Sequence, residues 1–227
     1  MKYSLLSSND WGVVEGCTKV SAGCKNCYAE EYLGEAFNTV RVIQDRIDNP
    51  PQWRSGMNVA IAECGDLFHE HVPVETVARV MEIVSDHPDV SFRVLTKRIE
   101  RLSELFSGAP LPENLMVGVS IEDQETADSR IPYLDTINSI RFVSAQPLLG
   151  HVTLPDVRID WIVVGQEWCE DYRHTNEDWV RSLREQCRDR KIPMSYQQKM
   201  VNQERVVFPE LDGIKIQQFP RKKSWAS

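Results

Sequence analysis

Three cysteines, Cys17, Cys24 and Cys27, fall within eleven residues of the stretch "GCTKVSAGCKNCYAEEYLGEAF" (Gly16 to Phe37). The segment is rich in Gly, Lys, Asn and Ser, which suits an exposed loop, and unliganded thiols in such a loop would be an oxidation liability. Six cysteines could in principle form three disulfides, but Cys64, Cys169 and Cys187 are scattered while the other three cluster. That distribution favours metal binding or catalysis over a disulfide framework. Two metal chemistries suit it. Zinc wants four ligands: Cys24 and Cys27 make a Cys-x-x-Cys half-site, Cys17 adds a third ligand, and His69, His71 or Cys64 are candidates for the fourth. An iron–sulfur cluster is normally held by four cysteines. With three, a [4Fe–4S] cluster would keep one iron open to another ligand. The residues alone leave both readings open.

The elements that position such a loop are legible in the apolar pattern. Six short runs rich in β-branched residues lie at 57–64, 90–97, 115–122, 140–147, 160–167 and 192–199. Near-continuous apolarity predicts strands buried on both faces, as in a parallel sheet. A possible first strand lies near Tyr3 to Ser7. Between the runs, Val77, Val80, Met81 and Val84 mark one helical face of 72–87, and Trp179, Val180, Leu183 and Cys187 mark another in 176–191. Asn176 and Asp123 are candidate N-caps. Segments 99–107 and 124–137 read as shorter helices. Alternating strands and helices predict an α/β fold, a partial (β/α)6-type TIM-like barrel of parallel strands, because a closed eight-stranded barrel takes about 250 residues. A doubly wound open sheet is the alternative. A single domain over 1–212, with its cysteine loop at 16–28, and a peripheral tail over 213–227 are expected.

Active sites of parallel α/β folds form at the C-terminal strand ends. There the sequence places Glu63, Cys64, Gly65 and Asp66; then Lys97 and Arg98; Ser120 and Glu122; Ser144 and Gln146; Gln166 and Glu167; and Tyr196, Gln197, Gln198 and Lys199. Polar groups converging on one rim suggest a site. A carboxylate enzyme using Glu63, Asp66 and Glu167 without any metal is one option.

Composition narrows the partners. The chain has 227 residues, 41% of them hydrophobic, and a net charge of −8. An acidic chain is not a general polyanion binder, since phosphate neutralisation needs clustered Lys and Arg. The two local basic runs, Leu95 to Leu102 and Pro220 to Trp225, read equally well as solvated faces. The start "MKYSLLSSNDWG" carries no apolar signal core, and no apolar run has membrane-spanning length, so a cytoplasmic protein with no membrane partner is expected.

The ordered stretches "GCTKVSAGCKNCYAE", "GDLFHEHVP", "RVLTKR", "VGVSIED", "RIPYL", "RFVSAQPLLG", "DWIVVGQE" and "DWVRSLREQCRDRKIP" span about Gly16 to Lys199. In these the chain resembles a phage- and prophage-associated family of radical-SAM-like proteins, often accompanied by a three-Cys-motif partner protein. The resemblance implies a [4Fe–4S] cluster on Cys17, Cys24 and Cys27 whose open iron chelates S-adenosylmethionine and whose electron cleaves it to a 5′-deoxyadenosyl radical. It implies an electron donor of the flavodoxin or ferredoxin type, and a modified DNA base or nucleotide as substrate, for example an amino-acid adduct of thymine that is rearranged or isomerised. By the same analogy, Glu63, Cys64, Gly65 and Asp66 hold the methionine amino group, and Lys97 or Arg98 pairs with the carboxylate. Ser120 and Glu122 meet the ribose or carboxylate, Gln146 faces the adenosine or substrate, and Tyr28 is a further cofactor contact. Gln166, Glu167 and Lys199 are the candidate catalytic groups. The chain departs from the pattern in its Cys-x6-Cys-x2-Cys spacing, against the usual Cys-x3-Cys-x2-Cys. Asn26 stands where an aromatic usually precedes the last cysteine, and "VGQEWCED" and "SYQQKM" differ at the substrate end. The competing expectation is a non-catalytic zinc or iron–sulfur protein serving as a structural or regulatory partner.

Overall fold

The computed structural model describes residues 9–106 and 109–220. Eight strands form its main sheet: β1 (Asp10–Trp11), β2 (Asn58–Ile61), β3 (Ser91–Thr96), β4 (Leu115–Ile121), β5 (Ile140–Ala145), β6 (Trp161–Gly165), β7 (Met194–Val201) and β8 (Glu204–Val207). Neighbours in the sheet are neighbours in this list. β1 to β7 run parallel, and β8 returns antiparallel on β7 through a turn at Asn202 and Gln203, both at positive φ. Strand order that never reverses means that right-handed crossovers all lie on one side of the sheet, the winding of a barrel. A doubly wound sheet would reverse at a switch point. The mostly parallel α/β architecture is therefore present, and the doubly wound alternative is not. The expected strand near Tyr3 to Ser7 lies outside the described residues, as does all but the first residue of the basic run Pro220 to Trp225.

Among the described residues six α-helices accompany the strands: α1 (Tyr28–Leu33), α2 (Gln44–Asp48), α3 (Val74–Ser85), α4 (Ile99–Phe106), α5 (Gln124–Arg130) and α6 (Glu177–Arg190). The face read from the sequence for α3 is the buried one: Val77, Val80, Met81 and Val84 join the large core between sheet and helices. Asn176 caps α6, its side chain accepting from Asp178 N–H at 2.9 Å. Asp123 caps α5 in a reciprocal box with Thr126. The segment after α5 continues as a 3-10 helix, Ile131–Thr136, because Pro132 supplies no amide hydrogen for an α-helical bond.

The tail is less peripheral than its sequence suggests. Ile216 is buried, its carbonyl accepts from Tyr196 N–H at 2.8 Å, and Gln218 N–H donates to Met194 C=O at 3.0 Å. Residues 216–218 thus extend the start of β7 by backbone pairing. Among the described residues no helix is long and apolar enough to cross a membrane.

Alternation along the strands splits the interior in two. On β4, Leu115, Val117, Val119 and Ile121 belong to the large helix-facing core, while Met116 packs on the opposite face with Phe142, Trp161 and Val163. Toward the C-terminal ends that second face becomes polar, through Ser120, Ser144 and the glutamines. The inner face is thus apolar at its floor and hydrogen-bonding at its mouth. Phe142, 3% exposed, anchors the floor. Phe142→Ala should cost about 3–5 kcal/mol of stability, read as a lowered urea midpoint at unchanged slope.

Candidate active site

One cavity opens at the C-terminal strand ends. Cys17, Cys24 and Cys27 all line it, together with Tyr28, Glu63, Gly65, Asp66, Lys97, Ser120, Gln146, Gln166 and Glu167. The sequence-derived set therefore converges, with three exceptions. Cys64 is not in the lining, and burial, with the charges of Asp10 and Glu63, pushes its thiol up to about 12, so it is neither a cavity wall nor a ready ligand. Ala62 at φ 56° explains this: a left-handed residue just after β2 breaks the in–out alternation, so strand parity does not carry to residue 64. Lys199 lies on the other side of β7, its Nζ 3.1 Å from Glu177 Oε1 at the start of α6. Here a β-bulge intervenes, with Val164 opposite Tyr196 but Gly165 opposite Gln198. The extra residue shifts parity, so Gln197 and Gln198 both face the cavity and Lys199 does not. Glu122, fully buried, sits behind the wall and not in it.

Glu122 instead holds the cysteine loop. Gly23, between the first two cysteines in the chain, donates its N–H to Glu122 Oε1 at 3.1 Å, and Arg130 Nη1 donates to Oε2 at 3.2 Å. A Cβ on Gly23 would stand 3.0 Å from that carboxyl carbon, so any side chain there would press on Glu122.

Two more carboxylates act in the same way. Asp66 accepts from Thr96 Oγ1 at 2.8 and 2.9 Å, from Phe68 N–H at 2.9 Å and from Arg98 Nη1 at 3.2 Å. Arg98 reaches on to the loop: Nη1 lies 3.4 Å from Cys17 Sγ, and Nη2 donates to Thr18 Oγ1 at 2.6 Å. Arg98 is therefore a clamp on the first cysteine rather than a free partner for a cofactor carboxylate. Glu167 accepts from Asn26 Nδ2 at 3.1 Å and from Arg173 N–H and Nε, each at 2.9 Å, and it forms an ion pair with the Arg173 Nη2 that also donates to Ala22 C=O at 3.0 Å. Burial pushes the Glu167 carboxyl up, but the Arg173 and Asn26 hydrogen bonds outweigh it and hold the group below the usual glutamate range. Glu167 is thus an ionised tether; Asn26 stands out in the sequence only as a departure from the family pattern, and Arg173 does not stand out at all.

Tyr28 completes the attachment. Its hydroxyl donates to Glu63 C=O at 2.6 Å, and its ring stacks near Trp168 with centroids 6.3 Å apart. Glu63 pairs with the buried Arg93. Helix α1, which begins at Tyr28, has only six residues and carries Glu30 and Glu31 in its first turn, so it offers an anion little.

The thiols differ in environment. Burial pushes the Cys24 thiol up, yet Lys97 and the hydrogen bonds from Val20 and Ser21 bring it below the ordinary value. Burial and Asp66 raise Cys17 despite Arg98. Among the described residues no three His, Cys, Asp or Glu side chains converge on a single-ion site. The fourth-ligand candidate His69 is buried with Nε2 2.9 Å from Thr18 Oγ1, and its Nδ1 accepts from His71 N–H at 3.1 Å, so both ring nitrogens are engaged. A three-thiol set on one wall, with cationic Lys97 and Arg98 beside it, has the donor chemistry for an anionic cluster with one open iron. Cys187 is core, and Cys169 is half-buried near Glu167.

The family model described as "Protein of unknown function (DUF5131)" matches residues 6–220. The chain belongs to this family. No curated protein matches it. Among solved structures, spore photoproduct lyase complexed with dinucleoside spore photoproduct superposes with a TM-score of 0.48 and 11% identity, over 78% of this chain and 71% of that one. A double mutant of the same enzyme with bound AdoMet and dinucleoside spore photoproduct gives 0.46 and 10% over the same shares.

The tethers generate a direct expectation. Glu122→Ala would leave the Arg130 guanidinium buried without its partner, at about 3–5 kcal/mol. Chemical denaturation should show that loss, and Cys24 in the native protein should be alkylated faster, because Gly23 is released.

Proposed function

We propose that this chain is a radical S-adenosylmethionine enzyme, with Cys17, Cys24 and Cys27 as the three protein ligands of a [4Fe–4S] cluster. The observation that carries this reading is that all three thiols line one cavity at the C-terminal mouth of a singly wound parallel sheet. The three candidate fourth ligands do not line it with them: His69 is committed to Thr18 and His71, and His71 and Cys64 are outside the lining. When bound, the cluster would supply the electron that cleaves the sulfonium C–S bond of S-adenosylmethionine and yields a 5′-deoxyadenosyl radical.

The chain's own residues do the rest. Asp66, Glu122 and Glu167 fix the loop, and Lys97 offsets thiolate charge beside Cys24. Glu63, Gly65, Ser120 and Lys97 remain the residues that would meet the cofactor's polar groups, and Gln146 and Gln166 those that would meet its adenosine or the substrate. The resemblance in sequence supports a DNA base modification as substrate class and a flavodoxin- or ferredoxin-type electron donor.

Anaerobic iron and sulfide analysis, with a visible spectrum, tests the reading. Wild type should hold about four irons per chain with a broad sulfur-to-iron band, and Cys24→Ala should lose both. Adding reductant and S-adenosylmethionine should release 5′-deoxyadenosine. Zinc retained in place of iron after anaerobic reconstitution would contradict the proposal.

A further inference from the structure

One oxygen beside the first cysteine has its hydrogen bonding decided by its neighbours. Thr18 follows Cys17 and lines the cavity with it. Arg98 Nη2 stands 2.6 Å from Thr18 Oγ1, and His69 Nε2 stands 2.9 Å from it. A guanidinium has only N–H groups to offer, so Arg98 donates. The role of His69 is set on the far side of its ring. The backbone N–H of His71 donates to His69 Nδ1 at 3.1 Å. Nδ1 therefore accepts and carries no hydrogen, which places the hydrogen of the neutral ring on Nε2. His69 is thus the second donor to Thr18 Oγ1.

A hydroxyl has two acceptor positions and one hydrogen. Both acceptor positions of Thr18 Oγ1 are taken, so its hydrogen is left for a third group. Among the described residues no acceptor for it lies within hydrogen-bond reach. The opposite tautomer of His69 would have taken that hydrogen at Nε2, and the His71 amide rules it out. The surroundings keep the oxygen in place. His69 is fully buried. Arg98 is fixed by Asp66, 3.2 Å from Nη1, and by Glu70, 2.9 Å from Nε. The loop after β2, the residue before α4 and the cysteine segment therefore meet at one hydroxyl in the cavity wall.

We infer that Thr18 donates its hydroxyl hydrogen to a cluster sulfur beside Cys17, and that His69 and Arg98 are the positioning residues that aim it. This deepens the proposed function and rests on it. The acceptor must be electron-rich and must reach the wall next to Cys17, where Arg98 Nη1 already lies 3.4 Å from Sγ. Hydrogen bonds to the sulfurs help to set the reduction potential of an iron–sulfur cluster. A donor favours the reduced state, which carries one more negative charge, so Thr18 makes the cluster easier to reduce. A carboxylate oxygen of bound S-adenosylmethionine offers the same acceptor chemistry, and measurements without and with that molecule separate the two.

Two measurements on the full chain test this. Before reconstitution, histidine nitrogen-15 magnetic resonance should show the His69 hydrogen on Nε2; a hydrogen on Nδ1 would overturn the inference whether or not a cluster assembles. After reconstitution with iron and sulfide, the midpoint potential is measured by redox titration without S-adenosylmethionine. Thr18→Val keeps the shape and removes the hydroxyl. It should disfavour reduction about tenfold, a fall of about 59 mV for one electron. Thr18→Ser, which returns the hydroxyl, should restore the wild-type potential, a rescue that a merely structural role for the side chain would not give. If Thr18→Val assembles no cluster, the smaller Thr18→Ala takes its place with the same expectation. Equal potentials in wild type and the variant lacking the hydroxyl, or a difference that appears only when S-adenosylmethionine is added, would overturn the inference and leave the proposed function standing. A wild-type chain that assembles no iron–sulfur cluster would overturn both.

Discussion

The site depends on three buried carboxylates that hold one loop. Asp66 after β2, Glu122 after β4 and Glu167 after β6 come from alternate strands, and each reaches the cysteine segment at a different point. Asp66 acts through Arg98 at Cys17 and Thr18, Glu122 acts directly at Gly23, and Glu167 acts at Asn26 and through Arg173 at Ala22. A loop rich in glycine and polar residues has little apolar area with which to order itself. Charge-assisted hydrogen bonds to a rigid sheet substitute for that burial, and they are strong where water is excluded. Each carboxylate is matched by an arginine, so no anion is buried alone.

This arrangement explains why residues that look catalytic are not free to act as acids or bases. Asp66 and Glu167 line the cavity, but their oxygens are occupied. What remains available to a ligand differs between the two sides of the mouth: thiols with Lys97 on one, amides and hydroxyls on the other. The parallel sheet, with Phe142 and Trp161 packed beneath, brings both sides to the same opening.

Much of this was legible in the sequence. The six apolar runs are strands, the helical faces of α3 and α6 are the buried ones, and Asn176 and Asp123 are caps, because period, burial and capping are local properties. The convergence of strand-end residues followed from the fold class. The errors have equally local causes. Cys64 and Lys199 read as site residues only because they follow apolar runs, and the left-handed Ala62 and the bulge in β7 decide which of those consecutive residues face the cavity. Glu122 reads as a cofactor contact and not as a tether, since its partner Gly23 lies ninety-nine residues away. Asn26 is marked only as a departure beside Cys27, and Arg173 sits in a loop without periodicity, so the role of neither was legible.

The central claim is that three cysteines leave one iron open to S-adenosylmethionine. Electron paramagnetic resonance of the reconstituted, reduced protein, recorded with and without S-adenosylmethionine, addresses it directly. The account predicts a half-integer-spin cluster signal whose g-values shift when S-adenosylmethionine is added, because the ligand binds the open iron. A cluster signal that S-adenosylmethionine leaves unchanged would contradict the account.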